Sequence, residues 1–531
     1  MSTITRRSML AGASATAALT MAGTVPAARA AARTAARVPL TREEHRVVII
    51  GSGFGGGVTA LRFAQAGVPC LVLERGIRWP TGPNAETFPR VTSSLDKRAL
   101  WLGAPVKIFG ITIGGFDAPY TGLLQAIGGN GMDVICASGV GGGSLVYQGM
   151  TLQPSEAVFN ATMPNGLDHA RMNSVYYPRV ANMLRLQTAP DALINSKTYK
   201  AARIFGRGVT NAGYQLSKIP MPIDWSFALR ELNGEMKPAY TNGDCSLGVN
   251  NGGKHSVDVT YIAAAEATGL ATVAVLHNVT DVAKAPDGRW TVYVDRISTD
   301  GTVLEKKILT TKALVLAAGS ANTTRLLMRA DAKNLIPDLP DGLGTNWGTN
   351  GDRIYMWTDL LDDFDFPQGG PVVYGSKEWN DPTVANTIIQ ASLPPLPDIG
   401  STMMVGYGVS KGRGRYTYDA AKDDVVLNWT KGADDTLYRR INQRATRIAG
   451  FGGLLTDTTA VYPSTWHPLG GASMGTVCDL SGRVNGQRGL YVLDGALMPG
   501  TTAACNPSMT IAAVAERATD DIVAHDAGTV F

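Results

Sequence analysis

Short, unbroken apolar runs punctuate this chain, and each ends in glycines or an acid. Val47-Val48-Ile49-Ile50, after Arg46, reads as a buried strand of the parallel type. It runs into Gly51-Ser52-Gly53-Phe54-Gly55-Gly56, and a helical pattern follows through Val58, Leu61, Ala64 and Gly67. Cys70-Leu71-Val72-Leu73 is the next strand and stops at Glu74. Further strands are expected at Ala313-Leu314-Val315-Leu316, before Ala317-Ala318-Gly319-Ser320, and at Leu490-Tyr491-Val492-Leu493, before Asp494-Gly495.

The first unit carries chemistry because of where its glycines fall. Gly51 permits a sharp turn off the strand, Gly53 a close approach to a pyrophosphate, and Gly56 tight packing of helix on sheet. Phosphates would then meet the free N–H groups of a helix N-terminus. Glu74, 18 residues beyond Gly56, is placed to accept hydrogen bonds from an adenosine ribose. Strand, glycines, helix, strand and acid together predict a dinucleotide site. They do not choose between NAD and FAD.

Composition adds little beyond the N-terminus. Residues 1–30 begin with Thr5-Arg6-Arg7-Ser8-Met9-Leu10, continue Ala/Gly-rich, and end Ala28-Arg29-Ala30. A charged start, a short apolar middle and a small-residue cleavage site predict a secretory signal, and the paired arginines the twin-arginine route. Residues 31–44 read as a flexible leader. Without residues 1–30, 45 basic residues face 44 acidic ones, so charge gives no reason to expect nucleic acid. Cys70, Cys136, Cys245, Cys478 and Cys505 show neither metal-ligand spacing nor a disulfide framework, and no metal is expected.

Later motifs bring a resemblance. Gly139-Val140-Gly141-Gly142-Gly143-Ser144-Leu145-Val146, Asn250-Asn251-Gly252-Gly253-Lys254-His255-Ser256, His467-Pro468-Leu469-Gly470-Gly471 and Asn506-Pro507 resemble the glucose–methanol–choline oxidoreductases. Within that family they look most like the bacterial cholesterol oxidases, from about residue 45 to the end. The resemblance implies an α/β fold: a Rossmann-like FAD-binding domain with an inserted α+β substrate domain. The first would comprise residues 45–150, 250–345 and 455–531, the second residues 151–249 and 346–454.

It also implies roles. Glu74 would hold the adenosine ribose and Val279 the adenine. Gly142 and Gly143 would lie near the flavin, and Met150 on the substrate side. Gly319, Asp494, Gly495 and Pro507 would line the length of a non-covalently held FAD. His467 and Asn506 match the family's catalytic pair. Alcohol oxidation removes a hydroxyl proton and a hydride from one carbon, so a histidine and a neutral amide beside a flavin suit that chemistry. A lipophilic, sterol-like alcohol and O2 are the implied reactants, with transient contact to a membrane surface and a monomeric enzyme.

Departures matter. Tyr147-Gln148 replaces the Asn-Gly expected after the flavin loop, and Trp466 precedes His467 where tyrosine is usual. Both Tyr147 and Trp466 would touch substrate. Gln390, in Ile388-Ile389-Gln390-Ala391, falls where a glutamate moves the proton during Δ5 isomerisation, with Ser392 the alternative. Trp79 to Leu124 reads either as a lid over the pocket or as core. A lyase with structural flavin and an exported binder with a dead site also fit the residues, and visible spectroscopy separates the three.

Overall fold

A computed structural model describes residues 37–91, 93, 95–108, 111–394 and 399–531. The export signal predicted at residues 1–30, and residues 31–36 of the leader, lie outside the described residues.

Continuous apolar runs form the middle of a seven-stranded sheet. Leu40–Ile50 lies parallel to Cys70–Leu73 on one side and to Val303–Leu316 on the other. Ala271–Ala274 and Leu490–Val492 extend the parallel set, and Trp290–Ile297 and His277–Lys284 add an antiparallel ribbon. Val47, Val48, Ile49 and Leu314 to Leu316 are fully buried, as strands covered on both faces must be. Helix Phe54–Gln65 packs against the C-terminal helix Pro507–His525, and their shared contact includes the Arg62–Glu516 ion pair.

The first strand starts earlier than expected. Residues 40–44, assigned to the flexible leader, pair with Lys306 to Thr310. Their polar alternation hides the strand from a hydrophobicity reading. Cross-strand contacts such as Glu43–Lys307 and Thr41–Glu305 support it instead.

A second, six-stranded antiparallel sheet runs Gly453–Asp457, Arg353–Asp359, Ser401–Gly408, Asn386–Ala391, Tyr374–Glu378, Leu216–Lys218. Its edge strand Gly453–Asp457 crosses the boundary placed at residue 455. Helices Lys200–Asn211 and Asp435–Ala449 cover one face, burying Ile388 and Met404 against them. The other face, with Ile389, Ala391 and Met403, turns toward the cavity beside the first sheet.

The segment from Trp79 to Leu124 supplies both core and cavity wall. Trp79 stacks on Phe88 at 5.3 Å, both buried, whereas Val91, Leu95 and Ile113 line the cavity. Among the described residues no helix is long and apolar enough to cross a bilayer.

Candidate active site

One cavity of about 690 Å³ runs from the glycine turn to the gap between the two sheets, within the size range of small-molecule sites. At one end the chain turns off strand Leu40–Ile50 at Gly51, whose φ of +99° favours glycine. A Cβ there would sit 2.3 Å from the Ala317 carbonyl oxygen. Gly53 and Gly142 approach so closely that a Cβ on Gly142 would meet the Gly53 Cα at 2.9 Å. Gly143 and Gly319 have nothing within 4 Å of such a Cβ. That cradle fits a diphosphate laid across the helix N-terminus.

Most of the expected cofactor residues meet here. Gly51, Gly53, Glu74, Gly142, Gly143, Val279, Gly319, Asp494, Gly495, Asn506 and Pro507 all line the cavity. Gly56 does not: a Cβ on it would lie 2.0 Å from the Gly51 carbonyl oxygen, so its place is helix-to-turn packing. Glu74 accepts from the Ser52 hydroxyl at 2.6 Å and from the Gly76 and Gly139 amides at 2.9 and 3.1 Å. A carboxylate has about four acceptor sites, which leaves room for one more donor.

Asp494 accepts from the Gly319 and Ala496 amides and the Thr323 hydroxyl, yet burial outweighs those bonds and raises it to about 6. The folded chain therefore holds this proton in a range where the unfolded chain has lost it. Stability from this group is present at low pH and is lost as pH rises from about 4 to about 6. In the apoprotein, the melting-temperature difference between wild type and Asp494→Asn should drift against wild type across that window and then level off. A flat difference would show that Asp494 is ionised throughout.

At the other end stand His467 and Asn506. Asn506 caps helix Pro507–His525: its Oδ1 accepts from the Ser508 amide and hydroxyl at 3.2 and 2.8 Å. That fixes the amide orientation and turns Nδ2 toward His467 Nε2, 2.9 Å away. Nε2 is then the acceptor, so the ring proton sits on Nδ1, which donates to Asp352 Oδ1 at 2.6 Å. Asp352, buried at 5% side-chain exposure, also accepts from the Thr465 hydroxyl and the Trp466 amide. The Tyr407 ring stands edge-on to the imidazole, 5.8 Å between centroids.

Asp352 was not foreseen, since it lies 115 residues from His467 in a polar turn that matches no motif. Only its placement after Asn350-Gly351, a turn at the head of strand Arg353–Asp359, marks it in the sequence.

Met150, Tyr147 and Trp466 line the cavity: Trp466 adjoins His467, Met150 Sδ lies 3.7 Å from the Tyr407 hydroxyl, and the Tyr147 ring meets Phe54 of the glycine turn edge-on at 5.5 Å. Lys254 donates to the Leu145 and Tyr147 carbonyl oxygens at 2.8 and 2.7 Å and so pins the loop that carries Tyr147. Burial lowers that lysine to about 7. Gln390 is not brought to the site. Side chains alternate along Asn386–Ala391, so Ile389 and Ala391 face the cavity while Gln390 points away and donates to the Thr402 hydroxyl at 3.0 Å. Ser392 does not line the cavity either.

The arrangement can hold an extended dinucleotide and bring a proton acceptor and an amide donor to a substrate hydroxyl beside it. Comparison with known proteins agrees. Models of GMC oxidoreductases match residues 11–347 and 426–515. Cholesterol oxidases of Mycobacterium tuberculosis and Acinetobacter baumannii are 25% and 24% identical, each over 90% of this chain and over 91% and 94% of their own. Among solved structures, pyridoxine 4-oxidase from Mesorbium loti (15% identity, TM-score 0.62) and a fungal aryl-alcohol oxidase (15%, 0.58) share the fold over 91% of this chain and 99% of theirs. With the match reaching both the glycine-turn end and the histidine end of one cavity, the chain belongs to the GMC oxidoreductases, FAD-dependent enzymes that act on CH–OH groups.

Proposed function

We propose that this enzyme oxidises a lipophilic secondary alcohol of the sterol kind and passes the electrons to O2. The observation that carries the reading is the wall of the cavity beside His467. Val91, Leu95, Ile113, Ile354, Met356 and Met403 make it apolar. Among the described lining residues its carboxylates are Glu74 and Asp494 in the cofactor cradle and Asp352 behind His467. Such a wall rewards burial of a large apolar body and offers a sugar few partners for its hydroxyls.

FAD, held without a covalent link, supplies the hydride acceptor at its N5 position. The chain supplies the rest. Once the substrate hydroxyl displaces the Asn506 N–H from His467 Nε2, that nitrogen takes the hydroxyl proton, and Asp352 balances the charge that the ring then carries. Asn506 Nδ2 has a second N–H, beyond the one directed at His467, with which to hold the substrate oxygen. Both side chains are fixed before substrate arrives, by Asp352 and by the cap on helix Pro507–His525.

Delivery from a lipid surface agrees with the outer edge of the second sheet. Leu360, Leu361, Phe451 and Leu454 are exposed there, Phe451 at 94%, and Ile399 both lines the cavity and is exposed. Exposed apolar clusters of this kind mark lipid or partner contacts. Export by the twin-arginine route, with FAD loaded before export, and action as a monomer complete the reading.

With a Δ5-3β-hydroxysterol, ketone formation should outpace isomerisation, because moving a proton from C4 to C6 needs a carboxylate over the ring. Peroxide should therefore form faster than the conjugated enone. Gln390→Glu should not change this, since its side chain faces the helices. Ile389→Glu, on the cavity face, should raise the enone rate. Equal initial rates of peroxide and enone in the unaltered enzyme would mean that another group moves the proton.

A further inference from the structure

Arg75 follows Glu74 at the end of strand Cys70–Leu73 and lines the same cavity. A guanidinium carries five N–H donors and stays charged, yet this one makes a single hydrogen bond to protein. Its Nε donates to the Ser138 hydroxyl at 2.9 Å, while Nη2 is shut off from solvent without a partner. The Trp101 indole covers one face, 4.5 Å from the guanidinium carbon.

The other cavity arginines are paired. Arg325 lies 2.5 Å from an Asp424 oxygen, and Arg329 meets Asp281 and Asp423. Among the described residues Arg75 has no carboxylate within 4.0 Å. Glu74 acts on it only from beyond ion-pair distance, Cys136 is pushed up to about 11 by burial and so is neutral, and Arg325 is a like charge. A half-buried guanidinium with a solvent-shielded, unpartnered Nη2 and no direct ion pair points to an anion that arrives with a ligand. The diphosphate is the anionic part of FAD.

We propose that Arg75, braced by Ser138 and Trp101, is a cofactor-binding residue and the counter-charge for the phosphate-bearing adenosine half of FAD. This rests on the flavoenzyme reading. Trp101 lies in the same segment as Val91, Leu95 and Ile113 of the cavity wall, so one side chain ties cofactor binding to the packing of that segment.

The test uses apoprotein titrated separately with FAD, ADP and riboflavin, followed by calorimetry or flavin fluorescence. Arg75→Met should weaken FAD and ADP binding about tenfold to a hundredfold, the scale of a charge-assisted hydrogen bond, and leave riboflavin unchanged. Arg75→Gln, which can still donate to Ser138, should show the same loss, and Arg75→Lys a smaller one. Unchanged FAD and ADP affinity in the Met and Gln variants would overturn the proposal. So would an equal loss for riboflavin, which would make Arg75 a packing residue only. A wild-type protein that binds no FAD would instead strike the flavoenzyme reading on which the proposal stands.

Discussion

Replacing His467 by alanine is expected to slow alcohol-driven flavin reduction at least about a hundredfold, the scale of general acid–base catalysis. His467 Nε2 combines an unprotonated lone pair, held by the Asn506 amide until a substrate hydroxyl takes that place, with a fixed tautomer and a carboxylate behind the ring. Alanine leaves the substrate proton without an acceptor and Asp352 without the N–H it was paired with. Bound flavin should persist, because the glycine turn and Glu74 lie at the opposite end of the cavity. Anaerobic stopped-flow reduction, set against the flavin content of each preparation, separates the two effects. Full-rate reduction in the variant would place the chemistry elsewhere, and loss of flavin would make His467 a binding residue.

Asp352→Asn should be nearly as damaging. Asp352 receives the Nδ1 proton of His467 at 2.6 Å in a buried setting, and an asparagine can present its own N–H there instead. The ring would then favour the other tautomer, with a proton on Nε2 where a lone pair is needed. Orienting carboxylates of this kind are worth up to roughly ten-thousandfold in hydrolases. Asn506 also holds this ring, so the expected loss is smaller, about a hundredfold. It should fall on kcat with KM little changed, and Asp352→Glu should restore part of it. A merely structural carboxylate would lower stability and flavin content without that split. An Asn variant within about threefold of wild type, a difference well under 1 kcal/mol on the transition-state scale, would remove Asp352 from the mechanism.

The contrast between these two residues shows what could be read from the sequence. His467 and Asn506 stand in loops bounded by proline and glycine, and Asn506-Pro507 is also a helix start, so local pattern and chemistry coincide. The βαβ unit was legible for the same reason. Asp352 was not, because its function comes from a fold that brings the head of a strand in the second sheet against a distant loop. Gln390, expected at the site, faces away from it, because a period of two puts adjacent strand residues on opposite faces of the sheet and motif matching does not fix the face. Residues 40–44 were hidden because cross-strand ion pairs rather than apolar side chains hold them in the sheet. Arg75 carried no signal at all, since an arginine after the acid at a strand end becomes notable only once its unpartnered Nη2 and missing ion pair are visible.

His467 and Asn506 are proposed to serve a flavin and a lipophilic secondary alcohol in one cavity. Purified protein, made anaerobic and mixed with a 3β-hydroxysterol in detergent micelles, tests this directly through visible absorbance. The expected result is loss of the oxidised flavin band, its return on admitting air, and ketone and peroxide in equal amounts. A flavin that stays oxidised with sterols and other lipophilic secondary alcohols, yet bleaches with a sugar or a small polar alcohol, would contradict a lipophilic substrate.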